Sequence, residues 1–139
     1  MAGFCVKKQP EMASYSLPFE QRIKDVLGWV GKLLGESLVP VSEDTKAVSA
    51  AFHSALMTGT RLCQVAQKLY PANALRFNAK PRSPASAIDN INLFLRTFQR
   101  SAAVGRPFVP MDLYNGTNLT SVLEYVFYYF CLLFFLLFF

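Results

Sequence analysis

Residues 58–71 read TGTRLCQVAQKLYP. The apolar residues of this stretch recur at steps of three, one and three, at Leu62, Val65, Ala66 and Leu69. This spacing places them on one face of an α-helix, which Pro71 stops. Gly59 suits the left-handed conformation that ends a preceding helix. The stretch therefore predicts a short amphipathic helix that must bury one face against neighbouring helices.

The same helical period recurs on both sides of this stretch. Residues 18–35 carry one apolar stripe, and Ser16-Leu17-Pro18 provides a capping hydroxyl followed by a proline in the first turn, as suits a helix start. Further starts are expected at Ser42, at Ser83-Pro84, at Asp112 and at Asn118. No segment alternates strictly between apolar and polar residues, as a half-buried strand would. The sequence predicts an all-α fold, a compact helical bundle with an apolar C-terminal helical extension.

The extension is the stretch YVFYYFCLLFFLLFF from Tyr125 to Phe139, which contains no charged residue. As a helix it would be about 22 Å long, whereas the hydrocarbon core of a bilayer needs about 30 Å. Three interpretations stay open: membrane contact or anchoring, packing against the domain or another copy, and an incorrect gene end. We divide the chain into a flexible leader (1–15), a helical domain (16–128) and a hydrophobic tail (129–139).

The charge of the chain is mildly positive, with 14 Lys and Arg against 9 Asp and Glu, a net charge of +5. This is below what a dedicated nucleic-acid binder carries, so no nucleic-acid partner is expected. The positive charge is concentrated between Arg61 and Arg106, where Asp89 is the single acid among eight basic residues. Such a bias favours an acidic protein partner by long-range attraction.

Residues typical of catalysis or metal binding form no recognisable pattern. His53 is the single histidine, and Cys5, Cys63 and Cys131 have no spacing of a metal or redox motif. The acids Glu43-Asp44 suit the first turn of a helix, where they complement its dipole. We therefore expect no enzyme and predict no catalytic, cofactor-binding or metal-binding residues. The cysteine content favours a reduced, cytoplasmic setting.

Five short segments follow one another in a characteristic order: DVLGWVGKLLGE (25–36), TGTRLC (58–63), QKLYP (67–71), the helix 88–100 with DNI and FL, and FVPMDLYNGTNL (108–119). This order resembles the calponin homology domain over about residues 18–128, most closely its single-domain calponin and transgelin type. Thr58 stands where that family often has Asp.

The resemblance implies a non-catalytic binding module. Tandem calponin homology domains bind actin filaments, single ones bind actin weakly or act as scaffolds, and others bind tubulin through a basic face. We expect a cytoplasmic, cytoskeleton-associated adaptor whose partner is F-actin, microtubules or another cytoskeletal protein. The alternative is a membrane-associated or tail-anchored protein that displays the helical domain to the cytosol through contact of Tyr125 to Phe139 with the membrane.

The resemblance also implies that filament contact uses the exposed faces of the first and last helices, here within 20–32 and 118–126. The filament-binding candidates are cations of the first helix and of the basic loop: Arg22, Lys24, Lys32, Arg76, Lys80 and Arg82. The expected structural core contains Trp29, Leu62, Cys63, Ile91, Leu95 and Leu113. If Trp29 lies inside the core, Trp29→Ala should cost about 3–5 kcal/mol.

Overall fold

The computed structural model describes residues 18–101 and 107–138, with residues 73, 100, 101 and 134–138 described by backbone alone. Six α-helices and a 3₁₀ turn (Pro71–Asn73) occur in these ranges, and no strand does, so the predicted all-α class is confirmed there. The expected leader, residues 1–15, lies outside the described residues. The helices are α1 (Phe19–Leu34), α2 (Thr45–Leu56), α3 (Thr60–Leu69), α4 (Pro84–Ser101), α5 (Pro110–Tyr114) and α6 (Leu119–Phe138).

Helix α2 begins later than the sequence suggested. Its N-terminal cap is Asp44, whose carboxylate accepts the Ala47 N–H at 3.1 Å. Ser42, the expected cap, instead accepts the Asp44 N–H with its hydroxyl at 3.0 Å. Two side chains, two positions apart, therefore satisfy backbone donors here, and the carboxylate adjoining the helix takes the capping position.

The expected left-handed residue Gly59 lies where α2 gives way to α3, with φ of 74°. A Cβ atom at this position would lie 2.7 Å from the Asn90 Cβ and 2.8 Å from the Ile91 backbone nitrogen. Both the backbone angle and the close approach of α4 therefore require glycine. This contact brings α3 against α4, which share the most extensive helix–helix packing in the described part of the chain.

The short helix α5 and the last helix α6 are capped in different ways. Helix α5 begins at Pro110, so Asp112 is its third residue, and its carboxylate accepts the Val109 N–H at 3.3 Å. This corrects the expected helix start at Asp112. Asn118 does act as expected, because its side-chain oxygen accepts the Ser121 N–H at 3.2 Å at the start of α6.

One buried apolar cluster draws side chains from all six helices. Four of the expected core residues are fully buried, namely Leu62, Cys63, Ile91 and Leu113, and Leu95 is 7% exposed. Trp29 is different, since it is only partly buried and packs against the margin of the cluster. Its ring centroid lies 4.0 Å from that of Phe130 on α6. Trp29, which was expected inside the core, therefore lies at its margin.

The centre of the core is an aromatic group around Phe98 on α4. Its ring centroid lies 4.5 Å from that of Phe94, 5.2 Å from that of Tyr129 and 5.7 Å from that of Tyr70. The last two contacts are edge-to-face, the arrangement that aromatic quadrupoles favour. Phe98 thus joins α4, α6 and the end of α3.

The first half of the apolar C-terminal stretch belongs to this core. Helix α6 runs through residues 128 and 129 without a break, and its buried side chains continue beyond that expected boundary. Among the residues that the structure describes, no helix combines the length and hydrophobicity needed to cross a bilayer. Among residues 125–133 of the stretch, whose side chains are described, the buried ones are Tyr125, Val126, Phe127, Tyr129, Phe130 and Cys131.

Candidate protein-docking surface

The loop between the 3₁₀ turn and α4, residues 74–83, is held by the buried side chain of Asn90. The Asn90 amide oxygen accepts the Asn78 N–H at 2.9 Å. Its amide nitrogen donates to the Asn78 carbonyl at 2.9 Å and to the Thr58 carbonyl at 3.1 Å. Asn90 is 2% exposed, so these bonds replace water and fix the loop to the junction of α2 and α3.

Two further polar contacts fix the same loop. The Gln67 side-chain oxygen accepts the Leu75 N–H at 2.6 Å, and the Asn78 side-chain oxygen accepts the Lys80 N–H at 3.0 Å. The backbone on either side of Arg76 is therefore anchored, and so is the backbone at Lys80. Cations on such a loop are presented from a defined position, which lowers the entropy lost on binding.

The three predicted loop cations all point to solvent: Arg76, Lys80 and Arg82 are exposed. In the described part of the chain the ion pairs are Lys24 with Glu43 and Arg61 with Glu36, so the loop cations take part in none. Unpaired exposed cations are available to attract an incoming partner, whereas the charge of a paired cation is already compensated by an acid of the same chain.

Helix α4 adds a cation that the sequence analysis did not single out. Arg96 is exposed, and together with Arg76 it lines a groove of about 270 Å³ between the loop and α4. The exposed acid Asp89 lines the same groove, so the lining is mixed in charge, and the two arginines are its cations. The sequence does not reveal that Arg76 and Arg96 lie together, because they are far apart in the chain and only the fold brings the loop against α4.

The candidates on the first helix are placed less favourably for binding. The Lys24 ammonium donates to Glu43 at 2.8 Å, and its side chain is only 14% exposed. Arg22 is partly buried, and its Nε has no hydrogen-bond partner among the described residues. Lys32, at the end of α1, is exposed. Packing of α1 against α2 therefore leaves Lys32 as the α1 candidate that faces solvent.

The start of α6, also a candidate surface by resemblance, carries no exposed cation. Its exposed residues within 118–126 are Asn118, Thr120 and Glu124. The exposed cations thus lie mainly on the loop 74–83 and on α4. The start of α6 instead exposes the acid Glu124, so it and the loop differ in the sign of their charge.

Two side chains of reactive types, Cys63 and His53, make hydrogen bonds within the fold. Burial raises the pKa of the Cys63 thiol to about 12, and the thiol donates to the Asn90 carbonyl at 3.1 Å. A thiol with that pKa is protonated at neutral pH and is a poor nucleophile. The His53 Nε2 lies 3.0 Å from the Tyr114 carbonyl, where it donates a hydrogen bond that ties α2 to α5. Within these ranges no three His, Cys, Asp or Glu side chains gather as metal ligands.

Asn90→Ala should loosen the loop and lower the free energy of unfolding by about 2 kcal/mol, because it leaves buried backbone groups unpaired. Urea denaturation measures the loss, and hydrogen exchange should show a faster-exchanging Asn78 amide. Gln99→Ala on the exposed face of α4 is the control, expected within about 0.5 kcal/mol of wild type. Unchanged exchange at Asn78 in the Asn90 variant would contradict the anchoring role.

Comparison with known sequences agrees with this architecture. The sequence model of the calponin homology (CH) domain matches residues 20–132. Similar relatives are the proteins called Rho guanine nucleotide exchange factor 6 of Mus musculus, Rattus norvegicus and Homo sapiens, each 37% identical over 74 residues. The match covers 51% of this chain and 9% of each relative. Calponin homology domains are generally non-catalytic modules of cytoskeleton-related binding. With the family match spanning most of its length, this chain belongs to the calponin homology domain family.

Proposed function

We propose that this domain docks on an acidic cytoskeletal filament, F-actin or a microtubule, and acts there as a cytoplasmic adaptor. The contact surface is the cationic loop surface, which we define as Arg76, Lys80 and Arg82 together with Arg96 on α4. The observation that carries the proposal is that these four cations are exposed and outside the ion pairs of the described residues, on a backbone anchored by Asn90.

Electrostatics favours an acidic filament over other proteins that calponin homology domains could bind. Both actin and tubulin present acidic surfaces, and a repeating acidic surface attracts a cationic patch at many equivalent positions. Because the loop cations are solvent-exposed, their attraction is screened by salt over about 10 Å at 0.1 M ionic strength. Lys32 on α1 can add a peripheral contact, whereas Lys24 and Arg22 are held in the fold.

The apolar stretch gives less support to membrane association. Its side chains from Tyr125 to Cys131 are buried in the domain, apart from the partly buried Tyr128. A residue cannot fill the core and contact lipid at once, so only positions beyond Cys131 are available for such a contact. We therefore place the protein at the cytoskeleton in this proposal.

Co-sedimentation tests the proposal directly. The full chain should pellet with F-actin or with microtubules at low salt, and the bound fraction should fall steeply as salt is added. Lys80→Glu/Arg82→Glu should weaken binding by about tenfold, because like charges then face each other at the interface. Lys46→Glu/Lys68→Glu changes two exposed cations elsewhere by the same net charge and serves as the matched control.

Parallel assays with F-actin and with microtubules identify the partner, because the chain should pellet with the filament that it binds. Retention of the full chain in the supernatant with both filaments at low salt would overturn filament docking. Equal weakening by both double variants would overturn the loop as the contact surface, because net charge alone would then explain the attraction.

A further inference from the structure

The one Ser-Pro dipeptide of the chain, Ser83-Pro84, directly follows Arg82 of the cationic loop surface, and the sequence has no Thr-Pro. A proline directly after the acceptor is what proline-directed protein kinases require. Lys80 and Arg82 precede the serine at the third and first positions. We propose that the Ser83 hydroxyl is a phosphorylation site for such a kinase, and that its modification switches off docking through the cationic loop surface. The loss of docking rests on the proposed function, whereas the phosphorylation of Ser83 does not.

Ser83 is accessible where it stands. Arg82, Ser83 and Pro84 are all exposed, and residues 81–83 lie outside any helix. The Ser83 Oγ accepts the Ser86 N–H at 3.2 Å and donates to the Ser86 hydroxyl at 3.1 Å. These are exposed contacts in the first turn of a helix, where fraying costs little free energy. The segment can therefore open into the extended form that a kinase cleft binds.

The chemistry is a single phosphoryl transfer from Mg·ATP. The Ser83 Oγ attacks the γ-phosphorus and forms a new O–P bond, while the bond between the γ-phosphorus and the β–γ bridging oxygen breaks and ADP leaves. The hydroxyl proton passes to the catalytic aspartate of the kinase. No group of this chain has to act as base or nucleophile activator, so an exposed hydroxyl is enough.

The product changes the charge of the surface without opposing the fold. The loop 74–83 holds three cations and no acid. A phosphate adds about −1.5 to −2 charges at pH 7, which leaves roughly one positive charge on the loop. The phosphate also lies at the N-terminus of α4, an eighteen-residue helix whose dipole stabilises an anion there. Phosphorylation should therefore weaken an acidic partner's attraction while it keeps α4 intact.

The experiment uses the full chain, a purified proline-directed kinase of the cyclin-dependent class and Mg·ATP. Mass spectrometry of the intact protein and its peptides should find one phosphate, on Ser83. Pro84→Ala keeps the hydroxyl but removes the proline that the kinase requires, so it should abolish incorporation, as should Ser83→Ala. Ser86→Ala is the matched control and should still be modified. No phosphate on folded wild type, with a peptide of residues 78–90 modified under the same conditions, would overturn the site.

The functional half is measured by co-sedimentation of the purified phosphoprotein. Binding to the filament that the unmodified chain prefers should fall by about tenfold, and the thermal unfolding midpoint should not decrease. Full modification with unchanged pelleting would overturn the switch and leave filament docking standing. If the unmodified chain pellets with neither filament, the proposed function and the switch fail together, while incorporation on Ser83 still decides the site.

Discussion

Deletion of residues 125–139 should unfold the protein. Tyr125, Tyr129 and Phe130 are buried in the same cluster as the helices before them, and Tyr129 is the largest of the fully buried side chains among the described residues. Removing one buried aromatic side chain costs about 3–5 kcal/mol, and a domain of this size has about 5–15 kcal/mol in total. Loss of several at once exceeds the available stability. Circular dichroism should show a loss of helix and no cooperative thermal transition.

Deletion of residues 134–139 is the matched control. Among the residues described with their side chains, the last one buried in the cluster is Cys131, which this deletion keeps, and the family match ends at residue 132. This shorter chain should keep the cooperative transition and dissolve better, because six apolar residues are gone. A cooperatively folded protein after deletion of 125–139 would contradict the assignment of α6 to the core.

Phe98→Ala should cost about 4 kcal/mol, whereas Trp29→Ala should cost about 2 kcal/mol, although tryptophan is the larger residue. Phe98 is fully buried and contacts three aromatic rings, so its truncation leaves a cavity at the meeting point of three elements. Trp29 is partly buried at the margin, where solvent and neighbouring side chains can fill part of the space. Urea denaturation of both variants gives the two free energies of unfolding.

Phe98→Leu controls for the loss of the ring alone, and it should cost about 1.5 kcal/mol because most of the volume is kept. The order of the first two variants is the deciding result. If Trp29→Ala were the more destabilising, the centre of the core would lie at α1 beside Trp29, and the aromatic group around Phe98 would be peripheral.

Helix caps and turn residues, which act between neighbours in the chain, were predicted well from the sequence. Gly59 has the left-handed backbone that its place between two apolar stripes indicated, and Asn118 caps the last helix. Ser42 and Asp44 are both residue types that cap helices, local pattern did not rank them, and Asp44 holds the position expected for Ser42. Such errors are small because they shift a helix start without moving its buried face.

The sequence predicted the docking surface only in part. The loop cations Arg76, Lys80 and Arg82 could be named because they are close together in the chain and among prolines. The contribution of Arg96 and the anchoring by Asn90 depend on the approach of α4 to the loop, which no local pattern encodes. The pairing of Lys24 with Glu43 was hidden for the same reason, since the two lie on different elements.

By itself, the sequence determined that this protein is helical, that its helices begin and end near the positions found, and that it belongs with calponin homology domains. Periodicity and capping are short-range properties, so they can be read along the chain. Tertiary structure alone decided which apolar residues lie at the centre and which cations stay free. Burial and ion pairing depend on side chains far apart in sequence, as when Phe98 meets Tyr129 and leaves Trp29 at the margin.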